Sequence, residues 1–298
     1  MTTAPIVLFA YNRPWHTEQT LRSLSENHLA GESELIVYID GPKPGATTEQ
    51  QTKIESVYRL VQAQTWCKRL TVHRAEANKG LANSVIHGVT ETLRLYDRLI
   101  VLEDDMILSP YFLQYMNEGL AKYEHTEEVI SIHGYCVPNN YSQPVFFLRG
   151  ADCWGWATWR RGWQLFNPDA AQLLRELKDR KLTYDFDLLG SYAYTNMLRL
   201  QNEGKVDSWA IRWYASAYLQ DKLTLYPSRS LVRNIGGDGS GTHVKDDQLS
   251  SAELSSHRID LIDLPLKEKK EVRRMIGRHY FENLSTAGKL KKWLRLQL

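Results

Sequence analysis

Three consecutive carboxylates, Glu103-Asp104-Asp105, directly follow the apolar run of residues 99–102. An apolar run that ends in acids is typical of a buried strand leaving the core, so we expect these acids at the strand's exit, partly exposed. Adjacent carboxylates repel one another unless a positive charge lies between them. The triplet is therefore either a solvated turn or the binding site of a cationic group.

The first hundred residues alternate apolar runs of strand length with segments of helical period, which predicts an α/β fold with a mostly parallel sheet covered by helices. A helical face is expected over residues 81–93. After the acids, Ser109-Pro110 predicts a helix start, with Ser109 as N-cap and Pro110 at the first position. The four predicted strands are residues 5–10, 35–40, 70–74 and 99–103.

Polar residues follow each predicted strand. In an open parallel sheet, ligands bind where the loops at the carboxyl ends of the strands gather. Cations and carboxylates should thus converge in a site for a phosphorylated ligand that brings a divalent cation. Hard oxygen ligands favour magnesium or manganese over zinc. The residues concerned are Asn12, Arg13, Asp40, Arg74, Asn78, Lys79, Glu103, Asp104 and Asp105.

The chain resembles the nucleotide-binding half of glycosyltransferases of the GT-A fold in the order FAYNRP, YIDGP, HRAEANKGLANS, VLEDDMILSPYFLQYM. In particular, it resembles the inverting family 2 enzymes and the N-acetylglucosaminyltransferase I group, which carry a Glu-Asp-Asp form of the DXD motif before a helix start that contains proline. The resemblance covers about residues 5–123 and continues more weakly to His243. It implies the nucleotide-diphospho-sugar transferase fold, a nucleoside-diphosphate sugar donor and transfer with inversion.

The same resemblance implies roles for the polar residues. Asp105 would be the direct ligand of Mn²⁺ or Mg²⁺, and Asp104 would hold ribose or a bound water. Asp40 would read the base or ribose of the nucleotide. The other implied donor contacts are Asn12, Arg13, Arg74, Asn78, Lys79 and Glu103. Plainer interpretations stay open, since Asp40 could be a turn residue and Arg74 could pair with Glu76.

The second half should bind the acceptor and supply a base. The resemblance implies an Asp or Glu shortly before an aromatic-rich helix, which makes Asp207 the first candidate and Asp152 the second. A positioned base contributes roughly a hundred- to ten-thousand-fold in rate. Asp207 could equally be the N-cap of a helix over residues 208–220.

Two further segments carry candidate contacts. His243 closes a glycine-rich stretch and resembles the late metal or diphosphate contact of GT-A enzymes, on a loop that could fold over the donor as a lid. Four tryptophans fall within residues 153–163, and because sugars stack on aromatic rings, Trp154 and Trp156 are predicted to line the acceptor groove. Arg160 beside them would suit an acceptor that carries phosphate. Core packing is the other common use of tryptophan.

Charge is uneven along the chain. The last 32 residues contain ten Lys and Arg and three acids, whereas the rest of the chain is net acidic. The segment 289–298 alternates basic and apolar residues, which predicts either a short helix on an anionic membrane or a solvated helix docked on the body. No apolar run reaches the roughly 18 residues that span a bilayer. We expect a cytoplasmic protein, peripheral on the inner membrane face if the tail binds lipid, with a glycan or lipid-linked glycan as acceptor and no nucleic acid partner.

The predicted organisation is a glycosyltransferase domain over residues 1–245, divided at about residue 125 into donor and acceptor halves. A linker and basic helical tail would follow over residues 246–298. Two rival functions remain. A nucleotidylyltransferase is disfavoured because FAYNRPWHT lacks the glycine-rich loop that follows the first strand in such enzymes. A non-catalytic sugar-binding or peripheral membrane protein that keeps the fold is the other alternative.

Overall fold

The computed structural model describes residues 2–239 and 253–283. Its strands and helices alternate along the first hundred residues, as the sequence predicts. The strands are β1 (Ile6–Ala10), β2 (Glu34–Ile39), β3 (Arg69–Arg74), β4 (Arg98–Glu103), β5 (Met106–Leu108), β6 (Val129–His133), β7 (Val145–Arg149), β8 (Trp156–Trp159), β9 (Leu223–Pro227) and β10 (Val232–Asn234).

Eight strands form the central sheet in the order β3-β2-β1-β4-β8-β6-β9-β7. The first four are parallel, β8 runs antiparallel between β4 and β6, β9 is parallel to β6, and β7 is antiparallel at the edge. β5 and β10 pair separately as a small antiparallel ribbon. The predicted α/β class with a mostly parallel central sheet is thus confirmed, and each of the four predicted strands lies within one residue of its expected bounds.

Helices flank the sheet. They are α1 (Pro14–Ser25), α2 (Thr48–Gln62), α3 (Leu81–Leu95), α4 (Phe112–Lys122), α5 (Arg160–Trp163), α6 (Ala170–Asp179), α7 (Thr183–Phe186), α8 (Tyr194–Asn202), α9 (Trp209–Leu219) and α10 (Lys270–Glu282). Among the described residues, no helix has the length and apolar character needed to cross a membrane.

Strand β1 shows why the sheet is buried on both faces. Its five residues are all buried, and successive side chains enter different clusters because they alternate across a strand. Ile6 and Leu8 pack in the cluster that holds Leu21 of α1, whereas Val7 packs in the one that holds Val85 of α3. A continuous apolar run suits such a central parallel strand, with helices on both sides.

The start of α4 differs from its prediction. The helix begins at Phe112 with Tyr111 as N-cap, not at Pro110 with Ser109 as N-cap. Ser109 instead bonds to other segments of the same chain: its backbone N–H donates to Leu231 O at 2.9 Å, and its hydroxyl donates to Ser255 O at 2.6 Å. These contacts continue the path of β5 to Ser109, so the helix begins two residues later than predicted.

The segment of residues 253–283 packs on the body, although the sequence predicts a linker and tail there. Ser255 N–H donates to Ser230 O, and Lys269 N–H donates to Phe147 O, each at 2.8 Å. Val272 and Ile276 of α10 are buried in the main hydrophobic cluster. The predicted boundary at residue 246 lies outside the described residues and stays a prediction.

Candidate active site

A cavity of about 720 Å³ lies at the carboxyl ends of the parallel strands. The loops after β1, β2 and β4 supply one side, which includes Asn12, Arg13, Asp40 and the acid triplet. The other side comes from the loops around β6 and β8 and from α8, α9 and α10. The expected convergence of cations and carboxylates at this edge of the sheet is found for the loops after β1, β2 and β4.

Glu103 ends β4, Asp104 and Asp105 form a tight turn, and β5 leaves with Met106. Asp104 and Asp105 are buried, with 4% and 7% of their surfaces exposed, although partial exposure was expected. Arg13 explains their burial. Its Nη2 lies between the two acids, in a short contact with Asp104 Oδ1 and 3.0 Å from Asp105 Oδ2. The positive group that the adjacent carboxylates require is therefore Arg13.

The β5–β10 ribbon holds the turn of residues 103–105, which we call the acid turn. Asn234 of β10 donates from Nδ2 to Asp105 Oδ1 at 3.3 Å, and Ile235 N–H donates to the Asp105 carbonyl at 2.9 Å. Thr20 of α1 donates its hydroxyl to the Asp104 carbonyl at 2.8 Å. Asn234 also lines the cavity, and no local sequence signal points to it because its role depends on strand pairing.

Burial and crowding make the acids weaker. Burial, with the neighbouring charges of Asp105 and Asp104, raises the pKa of Glu103 to about 8. Burial also raises the pKa of Asp104 to about 6, against the opposing effect of Arg13. The indole of Trp209 hydrogen-bonds to Glu103. Glu103 is therefore mostly protonated at neutral pH, and the two aspartates with one guanidinium still leave this turn with negative charge to be compensated.

Asp40 holds the turn of residues 78–80. Its Oδ1 accepts from Gly41 N–H at 2.9 Å and from Lys79 N–H at 2.8 Å, and its Oδ2 accepts from Asn78 Nδ2 at 2.8 Å and from Gly80 N–H at 3.0 Å. These four bonds match the roughly four acceptor positions of a carboxylate. Asp40 lines the cavity, and its contact with a nucleotide stays a prediction. In the structure, its hydrogen bonds hold the loop before α3 in place.

The opposite side of the cavity is aromatic. We call this set the aromatic wall; its members are Tyr135, Trp154, Tyr192, Tyr194 and Tyr280. Ring centroids lie 4.7 Å apart for Tyr135 and Trp154, 4.5 Å for Tyr192 and Tyr194, and 4.8 Å for Tyr192 and Tyr280. Four of the five are tyrosines that the sequence analysis did not single out. The amphipathic spacing of apolar residues in α10 was the sequence signal that could have predicted packing of this helix, and hence of Tyr280, on the rest of the protein.

Both candidate bases line the cavity, in different surroundings. Asp152 lies 3.9 Å from Nε2 of the buried His133 and accepts a hydrogen bond from Cys153 N–H at 3.0 Å. Its charge acts on Tyr135 and Tyr280 of the aromatic wall. Cys153, its neighbour, feels the charges of both Asp152 and Glu103. Asp152 is therefore close to the aromatic wall, and the next residue, Cys153, is close to the acid triplet.

Asp207 lies on the other side of the cavity. Its Oδ1 is 3.5 Å from Arg212 Nη2, and its Oδ2 would be 3.4 Å from a β-carbon added at Gly80. It is therefore beside the turn that Asp40 holds. The N-cap interpretation of Asp207 is wrong, because Ser208 caps α9 by accepting from Ile211 N–H at 3.4 Å.

Two predicted acceptor contacts are wrong. Trp156 is fully buried, with ring centroids 5.3 Å from Trp209 and 5.8 Å from Trp213, so it is a core residue between the sheet and α9. Arg160 donates from Nε to the Leu93 carbonyl at 2.5 Å and pairs with Asp97 at 3.1 Å. It closes the end of α3 and does not line the cavity. Trp154 does line the cavity, and its contact with an acceptor stays a prediction.

Two predicted donor contacts lie beside the cavity without lining it. Arg74 pairs with Glu55 at 3.0 Å and lies 4.5 Å over the ring of Tyr58, so its partner is on α2 and not the expected Glu76. Lys79 contributes its backbone N–H to Asp40, while its side chain faces an outer groove on α3. His243 and the segment 289–298 lie outside the described residues.

Comparison of the chain with solved structures gives matches of low identity and low TM-score. No family model matches the chain, and no curated protein matches it. A solved structure of S. aureus TarS is 15% identical over 48% of this chain, with a TM-score of 0.30, and the chain spans only 24% of that TarS chain. UDP-glucose pyrophosphorylase in complex with UDP-glucose is 12% identical over 75% of this chain and 90% of its own, with a TM-score of 0.35. A Thermus thermophilus protein described as a mannose-1-phosphate geranyltransferase is 12% identical over 76% of this chain and 74% of its own, with a TM-score of 0.33.

Proposed function

We propose that this protein is a glycosyltransferase that moves a sugar from a nucleoside-diphosphate sugar to a glycan acceptor with inversion at the anomeric carbon. One observation carries the proposal. A single cavity is lined by the Arg13-bridged acid turn, by the aromatic wall and by the carboxylate of Asp152, whose charge acts on two rings of that wall. Sugar transfer requires a site that binds diphosphate and a surface that stacks on sugar in the same cavity, and the acid turn and the aromatic wall supply these two parts.

The donor side suits a diphosphate. Arg13 Nη1 is buried and has no hydrogen-bond partner among the described residues. A guanidinium with a free donor binds phosphate oxygens well, since charge-assisted hydrogen bonds are strong. Lys43 adds a second positive charge to the lining of the cavity. The diphosphate is therefore assigned to the space in front of Arg13.

The acid turn also suits a divalent cation in its chemistry. Its donors are carboxylate oxygens, which Mg²⁺ and Mn²⁺ prefer, and Arg13 compensates only part of their charge. Asp105 would hold the ion, with Asp104 beside it. Within residues 2–239 and 253–283, no three His, Cys, Asp or Glu side chains form a cluster able to hold a metal ion, so bound diphosphate would complete the ligand set. When bound, the ion would neutralise the diphosphate as it departs.

Asp152 is the base in this proposal, and Asp207 is the alternative. This ranking reverses the sequence-based prediction, which made Asp207 the first candidate. Asp152 acts on the aromatic wall, where the acceptor is proposed to bind. Asp207 is ion-paired with Arg212 and lies beside Gly80, in the loop before α3. The acceptor hydroxyl oxygen forms a bond to the anomeric carbon as the bond from that carbon to the diphosphate oxygen breaks. The bonding electrons leave with the diphosphate, and Asp152 takes the hydroxyl proton.

A thermal-shift screen tests the donor assignment. UDP-, GDP-, dTDP- and CMP-sugars are each added with and without Mn²⁺ to the wild type, to Asp105→Asn and to Asp260→Asn. Asp260 is a matched control because its side chain is 79% exposed and does not line the cavity. We expect one nucleotide sugar to stabilise the wild type and Asp260→Asn with metal, and this response to be lost in Asp105→Asn.

Product analysis then separates the rival functions. Transfer of the sugar to a glycan, with inverted configuration by NMR, supports the proposal. Release of pyrophosphate from a nucleoside triphosphate and a sugar phosphate would assign a nucleotidylyltransferase instead. Nucleotide binding without either product would favour the non-catalytic sugar-binding alternative, and the absence of any nucleotide response would overturn the donor site.

A further inference from the structure

Helix α10 is clamped onto the loop that precedes α8. Arg273 of α10 is 3% exposed; its Nη1 donates to Glu268 at 2.9 Å, and its Nη2 makes a short contact with the Asp185 carbonyl. Four residues later, Gly277 lies so close to this loop that a β-carbon would be 3.1 Å from Leu188 O and 3.2 Å from Ser191 Oγ. Two successive turns of α10 are therefore fixed against residues 185–191.

This clamp positions the aromatic wall. Tyr280 follows Gly277 by one helical turn, and Tyr192 follows the clamped loop directly. The rings of the two tyrosines are 4.8 Å apart, and His279 and Asn283 of the same helix end also line the cavity. Half-buried rings of Trp154, Tyr192 and Tyr280 thus present aromatic surface to the cavity from three separate parts of the chain.

The aromatic wall carries no positive charge. Of the described residues that line the cavity, only Arg13 and Lys43 are arginine or lysine, and both belong to the donor side. Burial lowers the pKa of His279 below its ordinary value of 6.5, which keeps it neutral at pH 7. Asp152 adds a negative charge beside Tyr135 and Tyr280. A phosphate or carboxylate on a ligand would meet repulsion here and find no cationic partner.

We propose that the aromatic wall, completed by α10, is a site for an uncharged saccharide, and that Tyr280 determines its affinity by stacking on a sugar ring. This inference rests on the proposed function, because it identifies the acceptor as a neutral glycan end whose hydroxyl faces Asp152. It also replaces the sequence-based expectation of an acceptor phosphate at Arg160. Apolar sugar faces stack on aromatic rings, while tyrosine hydroxyls and the Asn283 amide suit sugar hydroxyl groups.

A glycan array with the full-length protein and no nucleotide tests the site. The array carries neutral oligosaccharides together with phosphorylated and sialylated ones, and the best neutral binder is then titrated by calorimetry. We expect neutral members to be preferred. Tyr280→Ala should lower the affinity for the titrated saccharide about tenfold, whereas Tyr280→Phe keeps the stacking ring and should keep most of the affinity. Arg278→Ala is the matched control, since Arg278 is exposed on the same helix.

Each outcome decides. Preference for charged glycans, unchanged affinity in Tyr280→Ala, or no glycan binding by a protein that responds to a nucleotide sugar would overturn the saccharide site. Neutral glycan binding without any nucleotide response would support this site while overturning the proposed transferase. If Tyr280→Ala proves unstable by thermal unfolding, the wild-type preference and Tyr192→Ala provide the same test.

Discussion

Tyr280 in α10 stacks at a tilted angle on Tyr192, with ring centroids 4.8 Å apart, although the two residues are distant in the chain. The contact joins α10, which the sequence predicts to be part of a separate tail, to the loop that precedes α8. Because both rings line the cavity, the packing of α10 determines the shape of one side of the candidate active site. Changes where α10 packs on residues 185–191 should therefore alter the proposed acceptor binding through the positions of Tyr192 and Tyr280.

Gly277→Leu tests this coupling. The new side chain must displace Leu188 O and Ser191, so we expect a loss of about 1–3 kcal/mol in the free energy of unfolding. The acceptor KM should rise, while the thermal response to a nucleotide sugar stays as in the wild type. Gly31→Leu is the control, because a β-carbon at Gly31 meets nothing within 4 Å. An unchanged acceptor KM in a destabilised Gly277→Leu would argue against the coupling.

Arg13→Gln should destabilise the fold and make it sensitive to metal. Removing the guanidinium leaves Asp104 and Asp105 buried without their partner, which costs about 3 kcal/mol for a buried ion pair. Mn²⁺ should restore part of this loss if the acid turn binds cations. Urea unfolding with and without Mn²⁺ measures both effects.

Arg258→Gln provides the comparison for Arg13. Arg258 pairs with Glu118 at 3.0 Å but is 54% exposed, so its loss should cost less than about 1 kcal/mol and show no dependence on Mn²⁺. Equal destabilisation of the two variants would mean that Arg13 makes only a surface ion pair.

The sequence predicts the first half of the fold well because local signals and burial agree there. Apolar runs such as that of β1 are buried on both faces, and the loops at their carboxyl ends gather as a parallel sheet requires. The structure thus places Arg13 and the acid triplet together, as predicted. Arg74 was predicted as a donor contact but does not line the cavity, because β3 is the edge strand and the Arg74 side chain pairs with Glu55 on α2.

The second half of the fold depends on contacts between distant segments, which composition and spacing do not reveal. Trp154 and Trp156 are two residues apart in the same cluster, yet one lines the cavity and the other is core, since β8 begins at Trp156. Asn234 reaches the acid turn only through the β5–β10 pairing. Tyr280 reaches the cavity only because α10 docks on the body.

The two tryptophans should respond differently to truncation. Trp156→Ala removes a fully buried side chain stacked on Trp209, and we expect it to cost about 3–5 kcal/mol in the free energy of unfolding. Trp154→Ala should leave stability much closer to the wild type and weaken saccharide binding. Urea unfolding and the glycan titration measure the two effects. The interpretation of Trp154 as a ligand contact fails if its loss alters stability alone.

Asp152→Asn should abolish most transfer while leaving donor binding intact. Loss of a positioned base lowers the rate by roughly a hundred- to ten-thousand-fold, and the amide keeps the size of the side chain. Asp207→Asn should have a smaller effect on transfer because Asp207 pairs with Arg212 and lies beside Gly80, in the loop before α3. Initial rates at saturating donor compare the two variants. The opposite order of effects would return the base to Asp207.

His133 should make stability depend on pH in weak acid. The residue is fully buried, and burial lowers the pKa of its imidazole to about 4, against an ordinary value of 6.5. Asp152, 3.9 Å away, opposes this shift, and the rings of Tyr135 and Tyr226 pack on the other edges. As the pH falls below 6.5 the unfolded chain binds a proton that the folded chain refuses until about pH 4. This contribution to stability is therefore complete above about pH 6.5 and lost between about pH 6.5 and 4, by up to about 3 kcal/mol.

His133→Phe isolates this effect, because phenylalanine fills a similar space and does not titrate. Urea unfolding at several pH values between about 7 and 4 should show a shallower loss of stability in His133→Phe than in the wild type, whatever the stability of the variant at neutral pH. His257→Phe is the control: His257 is exposed, and its replacement should leave the slope unchanged. Parallel curves for all three proteins would mean that His133 keeps an ordinary pKa in the folded chain, because its ring takes up a proton beside Asp152.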